Sequence, residues 1–304
     1  AYSNLVAVMT ESAVTACSVD TFAVRPTKFT SVTSSASNAT LTGTPKFKAG
    51  TDSFTLTATA NAGGYSGAPK VSSSGMSATA AGWTVGSLSP QVFPNATSGA
   101  STSVATGSFT YSEVGNFRFL GFDPASNTTS VRGIYDDDWV AVDSAATKND
   151  CIAGSYSNTK DASGKYGCLF GLQDSGTSAP NSVLFGRFIP DRFAYLGGSV
   201  SPFCGSGAKP FTYMGQPQMG IAYRLQAVNG AGVVTRNYSQ TLGYPVANPS
   251  LVAEDQDTAN QGCDLVSRIS GLSSAQWSSG LYVVNDANAD NVPDSSAVTF
   301  SRPA

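Results

Sequence analysis

Histidine is absent from this 304-residue chain. That one fact removes Ser-His-Asp triads, imidazole metal sites and the commonest general base together. What remains for chemistry is oxygen and sulfur. Asp286, Asn288, Asp290 and Asp294 carry side-chain oxygens at alternate positions and then a fourth. Short side chains so spaced can converge on one hard cation such as calcium, which takes six to eight oxygen ligands. Asn291 stands where a glycine usually makes the sharp turn, and no bidentate Glu follows. The same residues therefore also read as an Asp/Asn-rich hairpin loop between Tyr282 and Val298. Glycosidase-type catalysis needs only two carboxylates. Glu113 sits at a strand corner, however, and Asp136-Asp137-Asp138 reads as a solvated loop or a contact between modules. No catalytic residue is assigned, no cofactor beyond that calcium is expected, and the chain reads as non-enzymatic. Trp83, Trp139 and Trp277 could stack on sugars, but three tryptophans over two β modules fit cores better. Asn38, Asn95, Asn127 and Asn237 open N-x-S/T sequons, read as chance matches.

Five cysteines without zinc-type spacing suggest disulfides made in an oxidising compartment. Cys151 and Cys168 bracket a polar loop and form one expected pair; Cys204 and Cys263 form the other. Closing the first loop, about 17 residues, would stabilise the fold by about 3 kcal/mol in the chain-entropy model. Cys17 is left over, either for a partner outside this segment or on another subunit, or as a buried free thiol.

These groups need elements to hold them. Only 12% of residues are charged, 41% are hydrophobic and 10% aromatic, and Ser and Thr make up about a quarter of the chain. A Thr-rich chain of low charge with repeated alternation fits β-structure rather than disorder. Net charge −3 and a pI near 4.9, with no Lys/Arg cluster, argue against nucleic acid. No run of eighteen or more apolar residues is present, so no helical membrane span is expected. Residues 1–16 lack the charged start and apolar core of a signal peptide, so a secretion signal would have been removed or lie upstream.

Strand candidates bounded by Gly, Pro, Asn or Ser fall at 21–24, 53–59, 83–85, 103–111, 116–122, 139–142, 183–188, 192–196, 218–227, 233–238, 280–284 and 298–300. Asp264–Leu272 alone offers a short helix. Asp20-Thr21-Phe22-Ala23 and Asp191-Arg192-Phe193-Ala194 share an Asp-x-Phe-Ala core, and each is followed by a Gly and an alternating apolar run. A tandem duplication is the simplest explanation. It expects Phe22 and Phe193 at one equivalent buried position, and Phe54 and Met219 at another, with Leu56 and Ile221 beside them. The expected fold is all-β: two tandem immunoglobulin-like β-sandwich modules joined by a disulfide-bearing connector. The boundaries are a strand-like segment at 1–16, a first module at 17–142, a connector at 143–181 and a second module at 182–304. Ser112 to Phe119, with Gly115 ahead of alternating aromatics, resembles the strand corner of immunoglobulin-like domains. Asp286 to Asp294 resembles the calcium loops of thrombospondin type-3 repeats.

Gly186-Arg187-Phe188-Ile189-Pro190-Asp191-Arg192-Phe193 and Pro210-Phe211-Thr212-Tyr213-Met214-Gly215-Gln216-Pro217 resemble motifs of MshQ-like proteins. So do Cys17 to Pro26 and Gly164 to Cys168. These are bacterial surface proteins tied to biogenesis of the MSHA type IV pilus. The resemblance is scattered over about residues 17–240 and supplies no catalytic residue. It implies an exported, extracellular or cell-surface protein, pilus-associated, as a structural component or adhesin, in which this region would be the C-terminal part of a longer chain. Pilus subunits, copies of itself, and a surface glycan or receptor are the implied partners. The alternative is a subunit that self-assembles into an extracellular filament by strand addition through residues 1–16, with Cys17 bonding a neighbour.

Overall fold

The computed structural model describes residues 5–9, 12–16, 25–121, 133–139, 151–172, 182–202, 204, 211–213, 215–216, 218–251, 268–272, 275–294 and 298–301. Every regular element among them is a β-strand, apart from one 3₁₀ turn at Ser73–Gly75. β1 (Leu5–Met9) and β2 (Ser12–Ala16) form an antiparallel hairpin that is a two-stranded sheet of its own. The single strand-like segment expected there is thus two strands.

The next strands are β3 (Phe29–Ser34), β4 (Phe47–Lys48), β5 (Phe54–Ala60), β6 (Lys70–Val71) and β7 (Met76–Ala78), then β8 (Leu88–Ser89) and β9 (Thr97–Ser98). They are followed by β10 (Ser103–Tyr111), β11 (Gly115–Phe119), β12 (Ile134–Asp136), β13 (Phe170–Gly171) and β14 (Phe185–Ile189). One sheet runs β3-β5-β10-β8, with β9 also on β10; a second runs β4-β14-β11-β7; a third runs β13-β12-β6. β5 shows why these sequences make strands. In Phe54-Thr55-Leu56-Thr57-Ala58-Thr59-Ala60 the apolar residues alternate with threonine, and Phe54, Leu56, Ala58 and Ala60 are buried. The register sets Phe109 opposite Phe54, Gly107 opposite Leu56 and Ala105 opposite Ala58, so bulk and space alternate along the pair. Across the core, Phe188 of β14 meets Phe54 edge-on at 5.1 Å between ring centroids, and Phe117 of β11 meets Tyr111 at 4.6 Å. Offset and edge-on aromatic pairs of this kind add stabilisation beyond burial alone.

The C-terminal part contains β15 (Arg192–Ser201), β16 (Gly220–Val228), β17 (Ile269–Ser270), β18 (Trp277–Ser278), β19 (Leu281–Val284) and β20 (Thr299–Phe300). Their sheets are β15-β16-β19-β18 and β17-β20. A smaller core gathers Ala227, Tyr238, Tyr244, Trp277, Tyr282 and Val284, and takes in Ala49 and Val114 from the N-terminal half.

Several expectations are corrected here. The strand expected to open a second module at residue 183 is β14, and it lies between β4 and β11 of the N-terminal unit. The connector is also no mere tether, because β13 pairs with β12, and Phe170 and Leu172 sit in the first core. Two self-contained tandem sandwiches divided near residue 182 are therefore not what the pairing describes. Residues 83–85 and 233–238 form no strand, being held by side chains and turns instead. Ile269–Ser270, inside the supposed helix, pair with β20. Phe193 is 47% exposed, leaning on Tyr238 and Trp277, and Met219 is half-buried, so the duplication's equivalence of burial fails. Phe22 lies outside the described residues. Leu56 and Ile221 are buried, as alternation expects.

Candidate functional site

Among the described residues, the buried carboxylates Glu113, Asp136 and Asp286 each hold neighbouring segments of chain together. Glu113 shows this most clearly. It precedes β11 at the corner where Gly115 has φ +98°, a left-handed conformation that favours glycine, and where any side chain would strike the ring of Trp83. The corner turns Glu113 inward, to 6% exposure. Its Oε1 accepts the N–H of Val114 at 2.9 Å and of Asn237 at 3.2 Å, and its Oε2 accepts that of Arg236 at 3.0 Å. Asn237 answers from the other side: its Nδ2 donates to the carbonyls of Thr84 and Val114, and its Oδ1 accepts from Thr84 N. Trp83 Nε1 donates to Leu242 O at 2.9 Å, and Asn229 Nδ2 donates to Ser112 O at 2.9 Å. Burial pushes the Glu113 carboxyl above its ordinary value, against the opposing pull of the three N–H donors. This is a polar joint between the two β units, with a carboxylate at its centre.

Around the joint, Gly230 N donates to Ala49 O, Thr51 Oγ1 donates to Asp191 Oδ1, and Tyr244 OH donates to Phe188 O. The Thr51 hydroxyl and the Arg192 guanidinium hold the half-buried Asp191 carboxyl below the usual range. The acidic run divides its labour. Asp136 is 1% exposed and accepts Tyr65 OH on Oδ2 and the N–H groups of Asp138 and Trp139 on Oδ1; burial raises its pKa. Asp137 and Asp138 clamp Lys70, at 2.5 and 2.9 Å, and raise its pKa. The run is thus partly internal rather than a solvated loop.

The calcium-type loop follows the same pattern. Asp286 is 1% exposed, and its Oδ2 pairs with Arg224 Nε at 3.1 Å while accepting Asn291 N. Arg224 Nη2 donates to Asn291 Oδ1 at 2.9 Å. Asp294 Oδ2 accepts Ala287 N, and Asp290 binds Asn288 Nδ2 and Val292 N. These are turn contacts within the loop. Among the described residues no group of three or more His, Cys, Asp or Glu side chains stands together to hold a metal ion. A guanidinium beside Asp286 and dispersed carboxylates do not fit a calcium shell of six to eight oxygens.

Cys151 and Cys168 are joined in a disulfide, 5.1 Å between Cα atoms. Arg25 secures the same loop, donating to the Gly167 and Ser157 carbonyls. Cys204 is a half-buried free thiol, and its expected partner, Cys263, lies outside the described residues, as does Cys17. Trp277 is buried, while Trp83 and Trp139 are half-buried against the two cores, so none is an open sugar platform. Asn38 and Asn237 are buried and hydrogen-bonded, which leaves their amides out of reach of glycosylation; Asn95 is exposed and Asn127 lies outside the described residues. A groove of about 460 Å³ opens on β15 and β16, lined by Tyr195, Ser199, Val200, Ile221, Tyr223 and Leu251.

The joint was the part hardest to foresee. In the sequence Glu113 reads as a carboxylate at a strand corner and Asn237 as a sequon, and neither marks a joint. The available signal was an acidic residue two positions before a glycine, inside an apolar strand entry.

Residues 153–303 match a family described as DUF6701, third domain. No curated protein and no solved structure matches the chain. Among the described residues no helix is long and apolar enough to cross a membrane.

Proposed function

We propose that this protein is a non-enzymatic, exported surface protein that acts as a pilus-associated structural component or adhesin. One observation carries the non-enzymatic part. The buried carboxylates Glu113, Asp136 and Asp286 each serve backbone N–H groups or fixed side chains that tie strands together. A buried carboxylate poised for catalysis would face a cleft. Export is supported by the Cys151–Cys168 disulfide, which persists in oxidising compartments. The pilus link rests on the motif resemblance around Gly186 to Phe193 and Pro210 to Pro217. An immunoglobulin-like description is kept for the N-terminal unit, supported by the sheets β3-β5-β10-β8 and β4-β14-β11-β7 sharing one aromatic core, to which the short third sheet adds Phe170 and Ile134. A ligand of the adhesin would be sought in the groove over β15 and β16.

Pull-down of the purified protein with isolated type IV pili, together with adhesion of a deletion strain, tests the proposal. Co-purification and weakened adhesion are expected. Unchanged adhesion with no pilus association would overturn it.

A second role, self-assembly into a filament, is favoured by the β1–β2 hairpin. It pairs with no other described strand, and an isolated two-stranded hairpin is marginal in water. Negative-stain microscopy and non-reducing electrophoresis distinguish the two roles: polymers or covalent dimers support assembly, and a monodisperse monomer opposes it.

A further inference from the structure

β14 is the first strand of residues 182–304, yet its side chains enter the other half of the protein. Phe185 and Phe188 are 1% and 0% exposed and belong to the N-terminal core. Phe188 lies 5.1 Å from Phe54, 4.8 Å from Tyr111 and 5.8 Å from Phe117 between ring centroids. β14 has a neighbour on each side: it runs parallel to β4, with Phe188 opposite Phe47, and antiparallel to β11, with Phe185 opposite Phe117. Gly186 adds a third set of bonds, donating to Ala36 O and accepting from Asn38 N. Just before it, β13 sends Phe170 against Phe29 and Tyr65. Neither β13 nor β14 contributes a residue to the C-terminal core.

Both strands fall inside residues 153–303, the stretch that matches the third-domain family. We infer that the N-terminal unit is a strand acceptor whose partner is this matched stretch. The groove between β4 and β11 takes residues 185–189, and the N-terminal core is not complete without β13 and β14. The physical reason works in both directions. Alone, the matched stretch would carry four large apolar side chains, Phe170, Leu172, Phe185 and Phe188, with no core to enter. Alone, the N-terminal unit would lose the one partner that the two-residue β4 has among the described strands, and one flank of β11. It would also expose the faces of Phe47, Phe54 and Phe117. The cooperative boundary therefore falls at Pro190, where the chain leaves β14 for β15, and not at either end of the connector.

Reciprocity is the test, because two segments of one cooperative unit must each feel the other's loss. Hydrogen exchange read by mass spectrometry on the full chain compares wild type with Phe188→Leu and Phe54→Leu. Both substitutions keep an apolar side chain so that the fold persists. Phe188→Leu should speed exchange about tenfold or more in peptides spanning 54–60 and 103–111, and Phe54→Leu should do the same for 185–189. Protection unchanged in either distant segment would overturn the inference. A second arm leaves the core untouched: Lys48→Cys with Ile189→Cys, opposite each other in the β4–β14 ladder, should form an intramolecular disulfide in the monomer. Failure to cross-link overturns the inference as well. Neither result bears on pilus association, so this inference and the proposed function can fail separately.

Discussion

Removing the Glu113 carboxylate is the sharpest probe of the joint between the β units. Glu113→Ala strands three donors, the N–H groups of Val114, Arg236 and Asn237, in a site where Glu113 itself is 6% exposed. Each stranded buried donor costs about 1–3 kcal/mol. Relief of the carboxylate's own desolvation, evident in its raised pKa, offsets part of that. The expected net loss is about 2–4 kcal/mol, a large share of the stability of a domain this size. Urea unfolding followed by tryptophan fluorescence measures it, since Trp83 and Trp277 pack on the C-terminal core beside the joint. A variant within about 0.5 kcal/mol of wild type, the usual range for surface substitutions, would refute the assignment of Glu113 as the centre of the joint. Glu113→Gln adds a check on sign. A carboxyl whose folded pKa is raised binds its proton more tightly in the native state. Its contribution is therefore fully present below its ordinary value of 4.5 and is lost as pH rises through the folded value. The stability of wild type relative to Glu113→Gln should fall across that window as pH increases. A difference that is flat or rises with pH contradicts the burial of the acid.

Two further outcomes follow from named contacts. Arg224→Gln leaves Asp286 buried without its cation, which should cost about 3–5 kcal/mol in denaturant unfolding, while EDTA should leave the wild-type melting temperature unchanged; a wild-type protein that melts earlier in EDTA would place a metal in the loop after all. Replacing Cys151 and Cys168 together by serine should remove about 3 kcal/mol, the loop-closure value for a separation of 17 residues, and should open the polar loop to protease first.

Alternation made the strands legible. Phe54–Ala60 and Ser103–Tyr111 lie within a residue of the strands expected at 53–59 and 103–111, because period-two burial is written in the order of side chains. The Cys151–Cys168 pair is legible too, because the two cysteines close a short loop. Where side chains replaced ladders, the pattern failed. Residues 83–85 look like a strand but are fixed by Asn237, about 150 positions away, and 233–238 bend around Glu113. The spacing of Asp286, Asn288, Asp290 and Asp294 is a pattern of oxygens, and it does not reveal that Asp286 pairs with Arg224 of a neighbouring strand.

By itself, then, the sequence determined that the chain is all-β, which face of β5 and of β10 is buried, and that no histidine chemistry is available. It could not determine which sheet a strand joins. Phe185 and Phe188 announce burial, but burial among which partners depends on pairings with Phe47 and Phe117, far away in the chain. The hydrophobic effect is non-directional and the pleat repeats every two residues, so any apolar sheet face would have satisfied β14 locally. Only the tertiary structure selected one. The same holds for Glu113: its charge and the Val114 N–H are local, but the donors from Arg236 and Asn237 reach it only once the two units meet.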